Sequence, residues 1–255
     1  SVISFIAALS WVNEPFPGFL VYKDPLLGSF GSPEWPGSKA GLKLLDRIVT
    51  VDGRTVRDGE EIVQAARVKT PGTPVKYLVD RKGERREVTV PVAVFTLKDF
   101  LLIFFLTFLG GIIFYALGFI VYFMKPGMRM SWVFLLACFG QAIYMVTGFE
   151  IQSSYNFVRF HYFVLSLYPA FFFHLGLIFP ERKKILNRFR ALEYLIYLPA
   201  LILGVAFLVH FSQPGEISES SLASSVGTYI MLASMTRFFM LFCFLSLIVF
   251  VLHSL

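Results

Sequence analysis

The sequence predicts a polytopic α-helical membrane protein, about six helices in this stretch, with an inserted α+β domain. Three observations predict it. Of 255 residues, 56% are hydrophobic and only 16% charged, against about 45–50% apolar and about 25% charged in an ordinary soluble domain. The charges are also unevenly placed: 14 of the 23 Lys and Arg and 12 of the 17 Asp and Glu lie between Trp11 and Asp99. What remains is a series of apolar runs, several near the ~20 residues that a helix needs to cross hydrocarbon, where unsatisfied backbone groups are costly. A mean hydropathy of +0.68 excludes a disordered chain, and two cysteines exclude a disulfide-stapled scaffold. The formal charge of +6 does not call for a nucleic-acid partner, because basic residues outside the insert sit in short loops between apolar runs, where they orient a chain in a bilayer.

Residues 1–12 read as the end of a first transmembrane helix, with Trp11 as an interfacial anchor. The chain has no initiator Met and is still apolar at Leu255, so both ends read as cut. Residues 13–98 form the soluble insert. Residues 99–255 form a multi-helix domain, with helices at about 100–124, 130–148, 157–179, 192–211 and 227–255. Lys125-Pro126-Gly127 stops the first of these, and Pro180-Glu181-Arg182-Lys183-Lys184 stops the third. The loop after Phe179 carries Arg182, Lys183, Lys184, Arg188 and Arg190, whereas the loops around Gln152 and Glu216 carry one Arg and no Lys. The positive-inside rule makes the basic loop cytoplasmic. Counting back, the insert is extracytoplasmic in a multi-pass membrane protein.

Within the insert, Ile48, Val49 and Val51 predict a buried strand, Asp52-Gly53 a tight hairpin turn, and Val56 a return to the core. Asp58 with Glu61 three residues on is a capping box. It opens a helix to about Val68 that carries Ile62, Val63 and Ala66 on one side. Strands at Pro74–Asp80 and Arg86–Val92 follow, joined by the turn Arg81-Lys82-Gly83-Glu84.

The run Gly37-Ser38-Lys39-Ala40-Gly41-Leu42-Lys43, followed by Asp46-Arg47-Ile48-Val49-Thr50-Val51-Asp52-Gly53, resembles the hallmark of bacterial PDZ domains. The resemblance implies a domain that takes up an extended peptide, often a protein C-terminus, as an added strand and clasps its carboxylate in backbone N–H groups. It places the edge strand at about Phe16–Tyr22, the terminus-binding loop at Gly18, Phe19 and Leu20, and the facing wall at Ile62, Val63 and Ala66. Pro15 and Pro17 depart from the pattern, because neither can donate an N–H.

PDZ domains accompany membrane helices in site-2 metalloproteases, but the sequence has no H-E-x-x-H, in which two His a turn apart hold zinc. His161, His174, His210 and His253 are scattered, and G-x-S-x-G, Walker A and Rossmann patterns are missing. No catalytic residue, metal or cofactor is therefore expected within these residues. Cys138 and Cys243 read as small buried hydrophobes in apolar helices.

Polar and ionisable side chains within spans are functional candidates by default. Here the candidates are Gln141, Glu150, His174 and Arg237. Arg237 is placed to snorkel outward or to pair with Glu150, and His174 to bond between helices. Gln141, Tyr144 and Thr147 share a face that, with Tyr162 and Ser166, suits an outward pocket for a lipophilic ligand. Glu193 is expected to pair with the nearby Arg188 or Arg190.

The order of one helix, an external PDZ domain and several closely linked helices, with the run Phe173-His174-Leu175-Gly176-Leu177-Ile178-Phe179-Pro180-Glu181-Arg182-Lys183-Lys184, resembles the sensor half of bacterial membrane histidine kinases of the ComP type. That resemblance implies a homodimeric receptor that perceives an external peptide or lipophilic signal and passes it to a cytoplasmic output domain in a two-component system. The competing class is a membrane-anchored PDZ adaptor or protease regulator that binds peptide C-termini without signalling.

Overall fold

The computed structural model describes residues 1–29, 31–179, 186, 188, 189, 191–210, 237, 241, 245 and 248. These residues fall into two compact units. One holds Ser1–Phe108 together with Thr147–Phe157, and the other begins with Leu109–Val146 and resumes at Val158.

In the first unit, helix α1 (Val2–Leu9) leads into strand β1 (Pro15–Phe16), then α2 (Pro36–Lys39), β2 (Arg47–Val51), β3 (Arg54–Thr55), α3 (Gly59–Arg67), β4 (Pro74–Arg81), β5 (Glu84–Pro91) and β6 (Ala93–Val94). β3-β2-β4-β5 form one antiparallel sheet, and β1 pairs separately with β6. The two hairpin turns follow their sequence signals. Asp52 and Gly53 have φ of 48° and 80°, and Lys82 and Gly83 have 56° and 90°, the doubly left-handed turn whose twist matches antiparallel strands. β4 alternates as expected, with Val75, Tyr77 and Val79 all buried. β2 does not. A register shift between Ile48 and Thr50 resets the pleat, so Ile48 and Val51, three residues apart, both face inward while Val49 is only half-buried.

α3 starts where its capping signal says. Asp58 accepts from the Glu61 amide at 3.0 Å, while the Glu61 carboxylate reaches back one residue further than expected, to the Arg57 amide at 3.1 Å. Asp46 is a buried carboxylate of this unit. Its carboxylate accepts from Arg81 at 2.6 and 2.5 Å and from the Lys43 amide at 2.8 Å, with Arg86 at 3.6 Å. Full hydrogen bonding of that kind is what makes a buried carboxylate tolerable.

Helix α4 (Leu97–Met124) begins in this unit. Thr96 and Asp99 form a reciprocal capping box, and the Trp35 indole donates to Asp99 at 2.8 Å. Trp11, Phe16, Trp35, Phe95, Phe100, Phe104 and Phe149 form one chain of edge-on and tilted ring contacts. Five phenylalanines thus belong to this buried cluster.

In the second unit, α4 packs on α5 (Arg129–Thr147) through small residues. A Cβ on Gly111 would lie 2.7 Å from Val146 and one on Gly118 2.9 Å from Cys138, the close backbone approach typical of packed membrane helices. α6 (Val158–Ile178), α7 (Leu192–Leu195) and α8 (Leu198–His210) follow.

The expected count of about six spans finds no support in the described residues. Among the described residues three helices are long and apolar enough to cross a membrane: α4, α5 with its short 3₁₀ extension to Gln152, and α6. α1 has eight residues. The expected helix at 192–211 is two, because Pro199 sits in the first turn of α8, where its missing N–H is harmless, and cannot continue a helix from before it. The expected stop at 180–184 and, apart from four positions, the helix at 227–255 lie outside the described residues.

Candidate peptide-binding site

The segment expected to be the edge strand, Phe16–Tyr22, is interrupted. Pro17 has no N–H, and Gly18 takes φ +81°, with its carbonyl accepting from the Gly37 amide at 3.1 Å. Beyond it, Leu20–Tyr22 run antiparallel to Leu26–Gly28: the Gly28 amide donates to Leu20 O and the Tyr22 amide to Leu26 O, both at 2.8 Å. The bridge Val21–Leu27 lies between these bonds, so by strand alternation the backbone groups of Val21 point to the opposite edge. α3 starts beside that edge, with the Gly59 amide donating to Lys23 O at 2.7 Å.

The predicted site residues come together, but as core. Phe19, Leu20, Ile62, Val63 and Ala66 belong to one buried cluster, and Gly18 is buried beside them. Phe19 meets the Tyr77 ring edge-on at 5.2 Å. On the hairpin side, Phe19 and Leu20 also line a cleft of about 390 Å³ with Leu27, Gly28 and Trp35.

The connection between α5 and α6 joins this edge, a feature the sequence reading did not assign. Tyr155 donates its hydroxyl to Val21 O at 2.9 Å, and Gln152 donates to the Ser29 hydroxyl at 3.1 Å. Burial, with Asp58 and Glu60 nearby, pushes the Tyr155 phenol well above its ordinary pKa, so it remains a donor. The only sequence signal was an aromatic residue within the polar stretch Gln152-Ser153-Ser154-Tyr155-Asn156 between two apolar runs.

The intramembrane candidates do not share one place. Glu150 is fully buried in the first unit. In the second, Gln141 is half-buried in α5 and Arg237 is helical and exposed. His174 hydrogen-bonds through Nδ1 with the Tyr197 hydroxyl at 2.7 Å. It lines a cleft of about 480 Å³ with Trp132, Phe171 and Leu201. Glu193, buried on the same cleft, forms a salt bridge with Arg129 at 2.6 Å, a partner 64 residues away that sequence proximity does not suggest. Ser166 turns back onto Phe163 O at 2.7 Å and Tyr162 stacks on Phe207. Cys138 is buried. Cys243, Arg190 and His253 lie outside the described residues. Among the described residues no cluster of three or more His, Cys, Asp or Glu is placed to hold a metal ion.

Comparison with known proteins gives the insert its family: residues 32–92 match the PDZ domain family. Residues 32–92 are a PDZ domain. The match begins after the Phe16–Tyr22 segment, so the edge rests on the geometry above. A zinc metalloprotease, RasP of Geobacillus kaustophilus, is 35% identical over 66 residues, which is 26% of this chain and 15% of the protease. The chain therefore spans a small part of that relative. A serine endoprotease from Yersinia pestis aligns over 31% of this chain and 29% of its own at 21% identity, with a TM-score of 0.28. None of these matches points to a histidine kinase, and the two-component signalling expected from the helix layout finds no support in them.

Proposed function

We propose that this protein is a membrane-embedded PDZ adaptor or protease regulator, which binds peptide C-termini on the extracytoplasmic side. The observation that carries the reading is the PDZ domain itself, joined to a membrane-length helix: the domain's Trp35 holds the capping residue Asp99 at the start of α4. A PDZ domain supplies a sheet edge for an extended peptide and backbone N–H groups for a terminal carboxylate. Here the groups offered are the Val21 edge and the amides of Gly18, Phe19 and Leu20, since Pro15 and Pro17 donate none. The first relative, a zinc metalloprotease by name, fits a role beside proteolysis; the sequence offers this chain no zinc motif of its own.

The test uses the full chain in lipid nanodiscs and a pool of ten-residue peptides with apolar C-terminal residues, each made with a free and an amidated terminus. Binding that needs the free carboxylate supports the reading, and equal retention of both forms overturns it. Orientation is checked separately. A cysteine placed at Lys82, on the exposed β4–β5 turn, is expected to react with a membrane-impermeant maleimide on intact cells.

A second reading, a lipophilic ligand among the helices, is favoured by the cleft that combines Trp132, Phe171 and Leu201 with the polar His174, Glu193 and Tyr197. Photo-crosslinking with a diazirine fatty acid tests it: labelling confined to the cleft supports it, and labelling spread evenly over the helices sinks it.

A further inference from the structure

The edge of the PDZ domain that would receive a peptide already has an occupant from the same chain. Val21 O, which faces away from the hairpin, accepts the Tyr155 hydroxyl. An added strand would need that carbonyl for its own ladder.

Three observations show that the fit is built rather than incidental. Tyr155 has φ +59°, a conformation rare for a bulky side chain and kept only where the surroundings enforce it; its amide is tied to Glu150 O at 2.7 Å. A Cβ on Gly59 would fall 2.5 Å from the Tyr155 hydroxyl and 2.2 Å from Tyr22 O. A Cβ on Gly28 would fall 2.0 Å from the Gln152 amide oxygen. Neither glycine has a positive φ, so the missing side chain provides space and not backbone freedom: for the connection at Gly28, and for Tyr22 O together with the Tyr155 hydroxyl at Gly59.

We propose that the connection between α5 and α6 is the resident occupant of the PDZ peptide edge, so that a peptide strand adds to Val21 only by displacing Tyr155. The proposal rests on the peptide-binding reading above and gives it a consequence. The displaced segment runs covalently into two membrane-length helices, so peptide capture and the state of those helices draw on one conformational equilibrium. A ligand shifts such an equilibrium by its differential affinity for the two states. A connection docked nine-tenths of the time lowers the apparent peptide affinity about tenfold, since only the competent fraction binds.

The test is a pair of cysteines, Gly28→Cys with Gln152→Cys, in the full chain in nanodiscs, with Cys138 and Cys243 changed to Ser. A disulfide is expected to form under mild oxidation, and failure to cross-link overturns the docked connection. With the bridge formed, the free-carboxylate peptide pool should bind at least tenfold more weakly than after reduction. Equal binding in both states overturns the displacement step. Binding in neither state, with the bridge formed, overturns the peptide-binding reading, and the displacement step with it, while leaving the docked connection standing. Tyr155→Phe is the second variant. It keeps the ring, removes the donor, and should raise peptide affinity several-fold; unchanged affinity counts against the Val21 bond as the latch.

Discussion

The two units hold themselves together by different means. In the PDZ unit, position is set by polar contacts of defined partner and direction. Examples are Asp46 under Arg81, Asp58 on the Glu61 amide, Trp35 on Asp99 and Tyr155 on Val21 O. In the helical unit, α4 and α5 meet through Gly110, Gly111 and Gly118, and Arg129 reaches the buried Glu193 from an exposed position. Water explains the contrast. Where segments are wetted before folding, apolar burial brings them together, and hydrogen bonds choose among the compact arrangements. Between helices in lipid, hydrophobic association is weak, and close contact of small residues takes its place.

The sharpest way to break the comparison is at Asp46. Asp46→Ala removes the acceptor of three donors from a buried position. It should cost about 2–3 kcal/mol, within the range for hydrogen bonds to charged groups and below that of a fully buried pair because Arg81 is partly solvated. With Trp132 changed to Phe, the fluorescence of Trp11 and Trp35 during thermal unfolding would read it, and the helical unit should melt unchanged.

Gly111→Val is the counterpart in the helical unit. Its added carbons meet Val146 and the Ala142 carbonyl, so overpacking of about 1–3 kcal/mol is expected, seen as earlier loss of helix signal in a denaturing detergent titration with the PDZ signal intact. An equal effect on both units would show that they do not unfold separately.

Asp58→Ala should cost about 1 kcal/mol through the lost α3 cap, with Asp58→Ser recovering most of it. A thermal melt of the two variants measures the difference.

The smallest effect is a pH dependence. The Lys69 ammonium and the Lys76 amide hold the Asp52 carboxyl below its ordinary pKa. A group depressed in the folded state contributes stability above its unfolded value, about 3.9, and loses it as pH falls through the folded value. The gap in melting temperature between the parent chain and Asp52→Asn should therefore stay constant from pH 7 to about 5 and close below about 4. The pair is exposed, so the gap should be small; a gap that widens in acid would contradict the assignment.

The local motifs were legible because each is closed by neighbours in sequence. The Asp52-Gly53 turn, the Asp58 cap and the alternation of β4 depend on residues no more than four apart, and all three appear where expected. β2 is the instructive exception. Its run Ile48-Val49-Thr50-Val51 reads as one continuous strand, but the bulge that turns Val49 partly out is set by pairing with β4, some thirty residues later. The candidate site was half legible. Gly18, Phe19, Leu20, Ile62, Val63 and Ala66 were found as a group, yet as buried packing residues. The groups that meet at the proposed peptide edge, Val21, Gly59 and Tyr155, carry no local mark.

Composition and spacing by themselves determined that this chain has apolar helices of membrane length and a charged α+β insert, and the run Gly37–Lys43 with Asp46–Gly53 gave that insert its resemblance to PDZ domains. The physical reason is that hydrocarbon thickness fixes the length of an apolar run, and turn and cap chemistry is local. Tertiary structure alone decided which distant groups share a buried carboxylate, that Arg129 reaches Glu193, and that the Val21 edge is held by Tyr155. Those contacts join residues 35 to 134 positions apart. No one-dimensional period encodes them; they exist because folding brings a donor and an orphaned acceptor to the same few ångströms.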